Sequence, residues 1–220
     1  MHNWHNTPIH FIDFEGTLTE GVLEYGVVTI LNGSIQSVYT GLCKPKSSLL
    51  ASSKLHGLES SMLEDKASFA EYWELFSTLR KSGIFASHNA CVEDLLLRSF
   101  WPFHSQSPDF SGSFTPSWGP WLDTYALSRS YLQLKNYQLA YILKELKLEK
   151  LLEDCVCHYC PTARRNWHNA LHDALAGAIL LIYLVDTFFS SGATLAELIF
   201  HSHLSEKLKK NLQQSEIQLE

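Results

Sequence analysis

The sequence predicts an α/β fold: a central mixed sheet flanked by helices, with a C-terminal helical extension. Three observations carry that expectation. The opening third is rich in β-branched and aromatic residues, in the runs FIDF, EYGVVTIL and SIQSVYTGLC. Further along, apolar residues recur at helical spacing through several segments. Among those helices the short run IFAS at 84–87 follows Gly83 and reads as one more buried strand. Strands first, then helices interleaved with a strand, give a layered fold with a mixed sheet.

Taken in order, three antiparallel strands are expected from residue 9 to about 43. Asn32-Gly33 lies between the second and third, the dipeptide a type I′ hairpin turn favours. Phe69, Tyr72, Trp73, Phe76 and Leu79 mark a helix over roughly 64–82, ended by Gly83. A helix from about Cys91 to Phe100 stops before Pro102, and 102–120 is a long loop rich in Pro, Ser, Gly and aromatic residues. Helical stretches follow near 122–132, 136–147 and 169–188. Thr194 and Glu197 form a capping box that opens a C-terminal helix, whose end, SEKLKKNLQQSEIQLE, is polar. The domain is expected to span 9–188, and the extension 189–220. No internal repeat is present.

A chain of 220 residues with 45% apolar and 12% aromatic content suits one soluble globular domain with a full core. A formal charge of −6 neither announces nor excludes a nucleic-acid partner, because bound cations offset an acidic site. The opening MHNWHNTPIH lacks a basic region followed by an apolar run, so no secretory signal is expected. The run ALAGAILLIYLV at 174–185, closed by Asp173 and Asp186, is short of the about 20 residues a bilayer needs. It reads as a buried helix, and no membrane association is expected. Five cysteines, three of them at 155, 157 and 160, suit reduced thiols in a cytoplasmic protein.

The chemistry begins in IHFIDFEGT. Asp13 and Glu15 are two apart on a strand, so both side chains point to one face, while Phe14 faces the other. Paired carboxylates entering from an apolar run are costly unless a cation lies between them. Gly16 permits close backbone approach to a ligand. In SHNACVEDLLLRSF, Glu93 is followed at helical spacing by Leu96, Leu97 and Phe100, which puts it on the inward face. Asp94 has Arg98 at i+4 and reads as the solvated one, while remaining the alternative to Glu93. In WHNALHDALAGAILL, Asp173 opens the most apolar helix, where helix N-terminal charge complementarity would place it in the first turn. His168, five residues earlier, can reach the same site from the loop and take a proton from water.

These motifs in this order resemble the DEDD exonucleases: Asp-x-Glu on a first strand, His-Asn-x-x-x-acid in the middle, and His-x4-Asp late in the chain. The last spacing is similar to the DEDDh branch, which includes the proofreading ε subunit of bacterial DNA polymerase III, RNase T and oligoribonuclease. ASSKLHGL at 51–58, LDTYALSR at 122–129 and NYQLAYILKELKL further echo that family, over residues 9–188. The resemblance implies an RNase H-like fold and a 3′→5′ exonuclease releasing 5′-mononucleotides from single-stranded DNA or RNA. It implies two divalent cations, Mg²⁺ or Mn²⁺, held by Asp13, Glu15, Glu93 and Asp173, with His168 as general base. Gly16 and Thr17 would lie against the terminal nucleotide, and His88 and Asn89 would bind substrate. A homodimer is an analogy only. The family has Asp where this chain has Glu93, and that departure supports the competing reading: a non-catalytic nucleic-acid or partner-binding module on the same fold.

Other groupings point less sharply. CVCHYC with His168 and His172 suggests zinc, but Cys-x-Cys is tighter than usual zinc spacing and HNALH lacks the glutamate of a zinc protease. Trp101, Phe103, Phe110, Phe114, Trp118 and Trp121 are candidate base-stacking platforms, though such residues more often anchor a loop to its core. Arg164 and Arg165 are candidate phosphate contacts or a solvated basic pair.

Overall fold

The computed structural model describes residues 2–47, 56–190 and 192–203. Its main sheet has the order β3-β2-β1-β4-β7. The strands β1 (Ile9–Thr17), β2 (Gly21–Leu31) and β3 (Ser34–Leu42) are antiparallel, whereas β4 (Ile84–Ser87) runs parallel to β1, and β7 (Trp121–Asp123) parallel to β4. The β2–β3 turn has positive φ at both Asn32 (53°) and Gly33 (66°), as a type I′ turn requires. A small hairpin of β5 (Ser107–Pro108) and β6 (Phe114–Thr115) lies within the long loop.

The helices are α1 (Ser60–Leu63), α2 (Trp73–Ser82), α3 (Cys91–Arg98), α4 (Thr124–Tyr131), α5 (Leu139–Glu145), α6 (Glu149–Tyr159), α7 (Ala170–Phe188) and α8 (Leu195–His203). Several differ from the sequence expectation. The segment 64–82 begins as a 3₁₀ turn (Phe69–Tyr72), capped reciprocally by Ser68 and Glu71, before α2 proper. Residues 122–123, expected to be helical, belong to a strand with Trp121 that pairs with β4, and Asp123 then caps α4 by accepting the Tyr125 N–H at 2.9 Å. Helix α6 was not expected, because it buries only Leu152 and Val156 and so shows a thin apolar stripe. Helix α7 is longer than its apolar run: at 19 residues it has the length and hydropathy of a membrane span, yet most of it is buried in the fold.

The sheet separates two cores. Helix α7 covers one face, packing Leu175, Ile179 and Leu184 with Phe11, Val28 and Ile30. The other face is aromatic, with Phe14, Phe69, Phe76, Phe85, Trp118 and Trp121 in one cluster. Trp101, Trp118, Trp121 and Phe110 therefore anchor their loop, while Phe103 and Phe114 are exposed. Arg80 completes the anchor from α2. Its guanidinium is fully buried and donates to Trp118 O (2.8 Å), Pro108 O (2.8 Å) and Gly119 O (2.6 Å). Burial pushes its pKa down to about 10. Arg80→Ala would orphan three carbonyls, and a loss of roughly 3 kcal/mol or more, about 6–12 °C in Tm, is expected by calorimetry.

The packing shows no break near residue 188. Ala193, Leu195 and Leu198 belong to the same core as α7, and the Leu195 N–H bonds His2 O at 2.8 Å. Residues 193–203 thus pack against the core of the domain. The polar end at 204–220 and residues 51–55 of ASSKLHGL lie outside the described residues.

Candidate active site

The end of β1 delivers two carboxylates to one face. Asp13 pairs across the sheet with Gly26, and Glu15 with Glu24. Phe14 points the other way, its ring 5.3 Å from Phe69. A bulge between Glu15 and Gly16 ends the regular register. Gly16 suits that bulge: its φ is +136°, and a Cβ would lie 2.1 Å from Gly21 O. The Thr17 hydroxyl is engaged in the following turn, donating to Glu20 Oε2 at 3.0 Å.

Helix α3 brings Glu93 in from the neighbouring strand connection. Glu93 is buried, and its Oε2 has no hydrogen-bond partner among the described residues. Asp94 turns away: its Oδ1 accepts the Trp121 Nε1–H at 3.0 Å and its Oδ2 pairs with Arg98 at 3.4 Å. It is held by these partners, not merely solvated. Helix α7 supplies Asp173 in its first turn. Asp173 Oδ2 accepts the His168 backbone N–H at 3.1 Å, and Oδ1 pairs with His172 Nδ1 at 2.8 Å. His168 itself is exposed with φ 64°, on the loop before α7. One ligand atom each from Glu15, His168 and Asp173 lies within 4.8 Å of the others.

The charge balance is unfavourable without a cation. Burial first, then Asp173, Glu93, Glu15 and Glu24, hold the Asp13 carboxyl well above the usual range. Burial and Asp173 push Glu15 up to about 8, with Arg164 acting the other way, and burial pushes Glu93 up to about 8. Such groups retain protons in the fold that the unfolded chain has already released, so metal-free stability falls as pH rises from about 4.5 through about 8. In chelator, a lower Tm at pH 8.5 than at pH 6 is expected by thermal melts. Added Mg²⁺ or Mn²⁺ should raise Tm more at the higher pH, where the carboxylates are free to bind it.

His88 lines a cleft with Asn89, and its Nδ1 meets Thr124 Oγ1 at 3.0 Å and its Nε2 meets Tyr137 O at 2.9 Å, so both ring nitrogens are engaged within the fold. Asn89 is exposed, in a cleft with Tyr125, Lys135 and Tyr137, and its backbone N–H is tied to Asp123 Oδ1 at 2.9 Å. His168 and His172 do not share a helical face, since α7 starts at Ala170. All five cysteines are free, and Cys155, Cys157 and Cys160 join no metal-binding group among the described residues. Neither Arg164 nor Arg165 is a solvated cation. Arg164 forms a two-pronged pair with Glu24, and Arg165 donates to Cys160 O (3.1 Å) and Cys157 O (2.9 Å). Glu24 was missed, although a buried acid inside the apolar run VLEYGVV repeats the signal that singled out Asp13.

The model of the exonuclease family RNase_T matches residues 11–181, a span that holds all of these acidic groups. The chain belongs to that family. Among curated relatives, the DNA polymerase III PolC-type protein of Thermotoga petrophila is 27% identical over 197 residues, covering 87% of this chain but 13% of its own length. The exonuclease-family chain thus spans only a small part of the relatives it matches. Its fold is that of Exonuclease X in complex with 5′ overhanging duplex DNA (TM-score 0.65, 21% identity, covering 88% of this chain and 99% of that one). The zinc-bound E. coli ExoI–ssDNA complex is also similar (TM-score 0.56, 15% identity, covering 83% of this chain and 41% of that one). The RNase H-like mixed sheet expected from the sequence is the observed fold.

Proposed function

We propose that this exonuclease-family chain is a metal-dependent 3′→5′ exonuclease that releases 5′-mononucleotides from single-stranded DNA or RNA. What supports the reading is that burial and the neighbouring Asp173 and Glu93 oppose charge on Asp13 and Glu15, and that Glu93 Oε2 is buried and unpaired among the described residues. That donor set suits hard divalent cations, which bind oxygen ligands. Asp13, Glu15, Glu93 and Asp173 would hold two of them, Mg²⁺ or Mn²⁺. Bound there, they would neutralise the cluster, activate water and stabilise charge on the phosphodiester under attack.

The chain's own groups supply the remaining functions. His168 stands beside Glu15 and Asp173 on an exposed loop, where its imidazole can accept the proton of the attacking water. Asp173 steadies that loop through the His168 backbone N–H. Asn89 presents its exposed side to the incoming strand from the cleft shared with Lys135. Glu93 takes the place of the family's Asp, and its buried carboxyl acts on Asp13 and Glu15.

The test uses 5′-labelled single-stranded DNA and RNA with Mg²⁺, Mn²⁺ or chelator. A ladder shortening from the 3′ end only with metal is expected, and it would also show which sugar is preferred. Bound metal and bound strand without cleavage would instead favour a non-catalytic binding module.

A further inference from the structure

We propose that Glu24 and Arg164 form a positioning pair that seats the start of α7 and the His168 loop on β1 and β2, and so fixes Asp173 and His168 relative to Asp13 and Glu15. Its functional consequence rests on the nuclease reading above; its structural part does not. Glu24 is 3% exposed and lies on the site face of the sheet, as the cross-strand partner of Glu15. A buried carboxylate without partners would be costly, but both oxygens are occupied. Oε1 accepts from Arg164 Nε at 3.1 Å, and Oε2 accepts from Arg164 Nη2 and from the Ala170 N–H at 3.1 Å.

That last bond is an N-cap made from a distant strand. Asn169, the residue before α7, gives the helix no side-chain cap, so Glu24 satisfies an N–H that would otherwise be orphaned. Arg164 Nη1 also donates to His56 O at 3.0 Å, so one guanidinium joins β2, the segment at His56 and the loop leading to His168. Two residues along β2, Gly26 leaves no room for a side chain. A Cβ there would lie 2.3 Å from Ala170 O and 2.4 Å from Leu171 N. Since Gly26 and Glu24 face Asp13 and Glu15 across the strands, the first turn of α7 is clamped over those acids. Asp173 is three residues further along that turn. Because Arg164 already occupies Glu24, this fifth carboxylate is not free to compete for a cation.

The experiment compares the full chain with Arg164→Ala, Arg164→Lys and Glu24→Gln. Hydrogen exchange is read by mass spectrometry on peptides covering 165–175, Mn²⁺ affinity by calorimetry, and kcat and KM on a 3′-ended oligonucleotide. Arg164→Ala is expected to speed exchange locally at 168–173 and to weaken Mn²⁺ binding about tenfold. It should lower kcat roughly 10–100-fold, with KM within about twofold, because misplacement of about 1 Å is enough to do so. Arg164→Lys, which keeps the charge, should recover part of both losses. Unchanged local exchange and Mn²⁺ affinity would overturn the proposal, as would a Tm loss with exchange raised evenly across the chain. If Arg164→Ala does not fold, Glu24→Gln carries the same comparisons, since it keeps the shape and an acceptor for Ala170. If the exchange and Mn²⁺ effects appear but the unaltered protein cleaves nothing, the positioning pair stands and the nuclease reading falls.

Discussion

Replacing Asp13 by alanine is expected to abolish metal-dependent cleavage and leave the fold in place. Asp13 sits where the cluster is most crowded: its carboxyl is pushed up by burial and by Asp173, Glu93, Glu15 and Glu24 together. A cation held there would relieve all of these repulsions at once, so on the proposed reading Asp13 is the group that gains most from binding it. Loss of an outer partner to a metal ligand alone costs about 10–100-fold, and loss of the ligand itself should exceed that. The backbone of β1 is secured on both sides by β2 and β4, and no hydrogen bond that holds the sheet passes through the Asp13 side chain. Stability in chelator at pH 8 should therefore be equal or higher in the variant. Asp173→Ala should match it in activity. Circular dichroism with the end-labelled ladder assay reads both outcomes. Cleavage at an undiminished rate by either variant would remove that residue from the metal set.

The second large effect is expected at His168. An imidazole acting as general base contributes about 10²–10⁴-fold, so His168→Ala should lower kcat by roughly 100-fold or more at neutral pH. The change should fall on kcat, with the strand still bound. Among the described residues the loop is held through the His168 backbone N–H and its neighbours Asn166 and Asn169, not through the ring. The pH–rate profile of the variant should also differ from that of the unaltered chain. An unchanged rate and profile would leave His168 without that role.

Both expectations could be written from the sequence because the signals behind them are local. A strand's period of two puts Asp13 and Glu15 on one face, and the helical period turns Glu93 inward and Asp94 outward. The Asn32-Gly33 turn follows from the φ values those two residues tolerate. Each of these is decided within a few residues, so short-range reading suffices. Where the signal was thin, the reading failed. Three residues of β7 are too few to show alternation, and α6 buries too narrow a stripe to show helical period. The bonds that engage both His88 ring nitrogens, one of them to Tyr137, 49 residues on, leave no local trace in the sequence.

By itself, then, the sequence determined the three-stranded meander and the α7 core helix, and it pointed to the acidic groups as candidates. Each is encoded in periodicity, turn chemistry or the cost of burying charge. Only the tertiary structure decided how those groups are held. Glu24 meets Arg164 across 140 residues, Arg80 binds carbonyls of a loop 28–39 residues away, and the helix at 195–203 closes against the N-terminal segment. Buried polar groups must find partners, but any donor in the chain can satisfy any acceptor. Which ones meet is settled by the path of the backbone, and no local pattern records it.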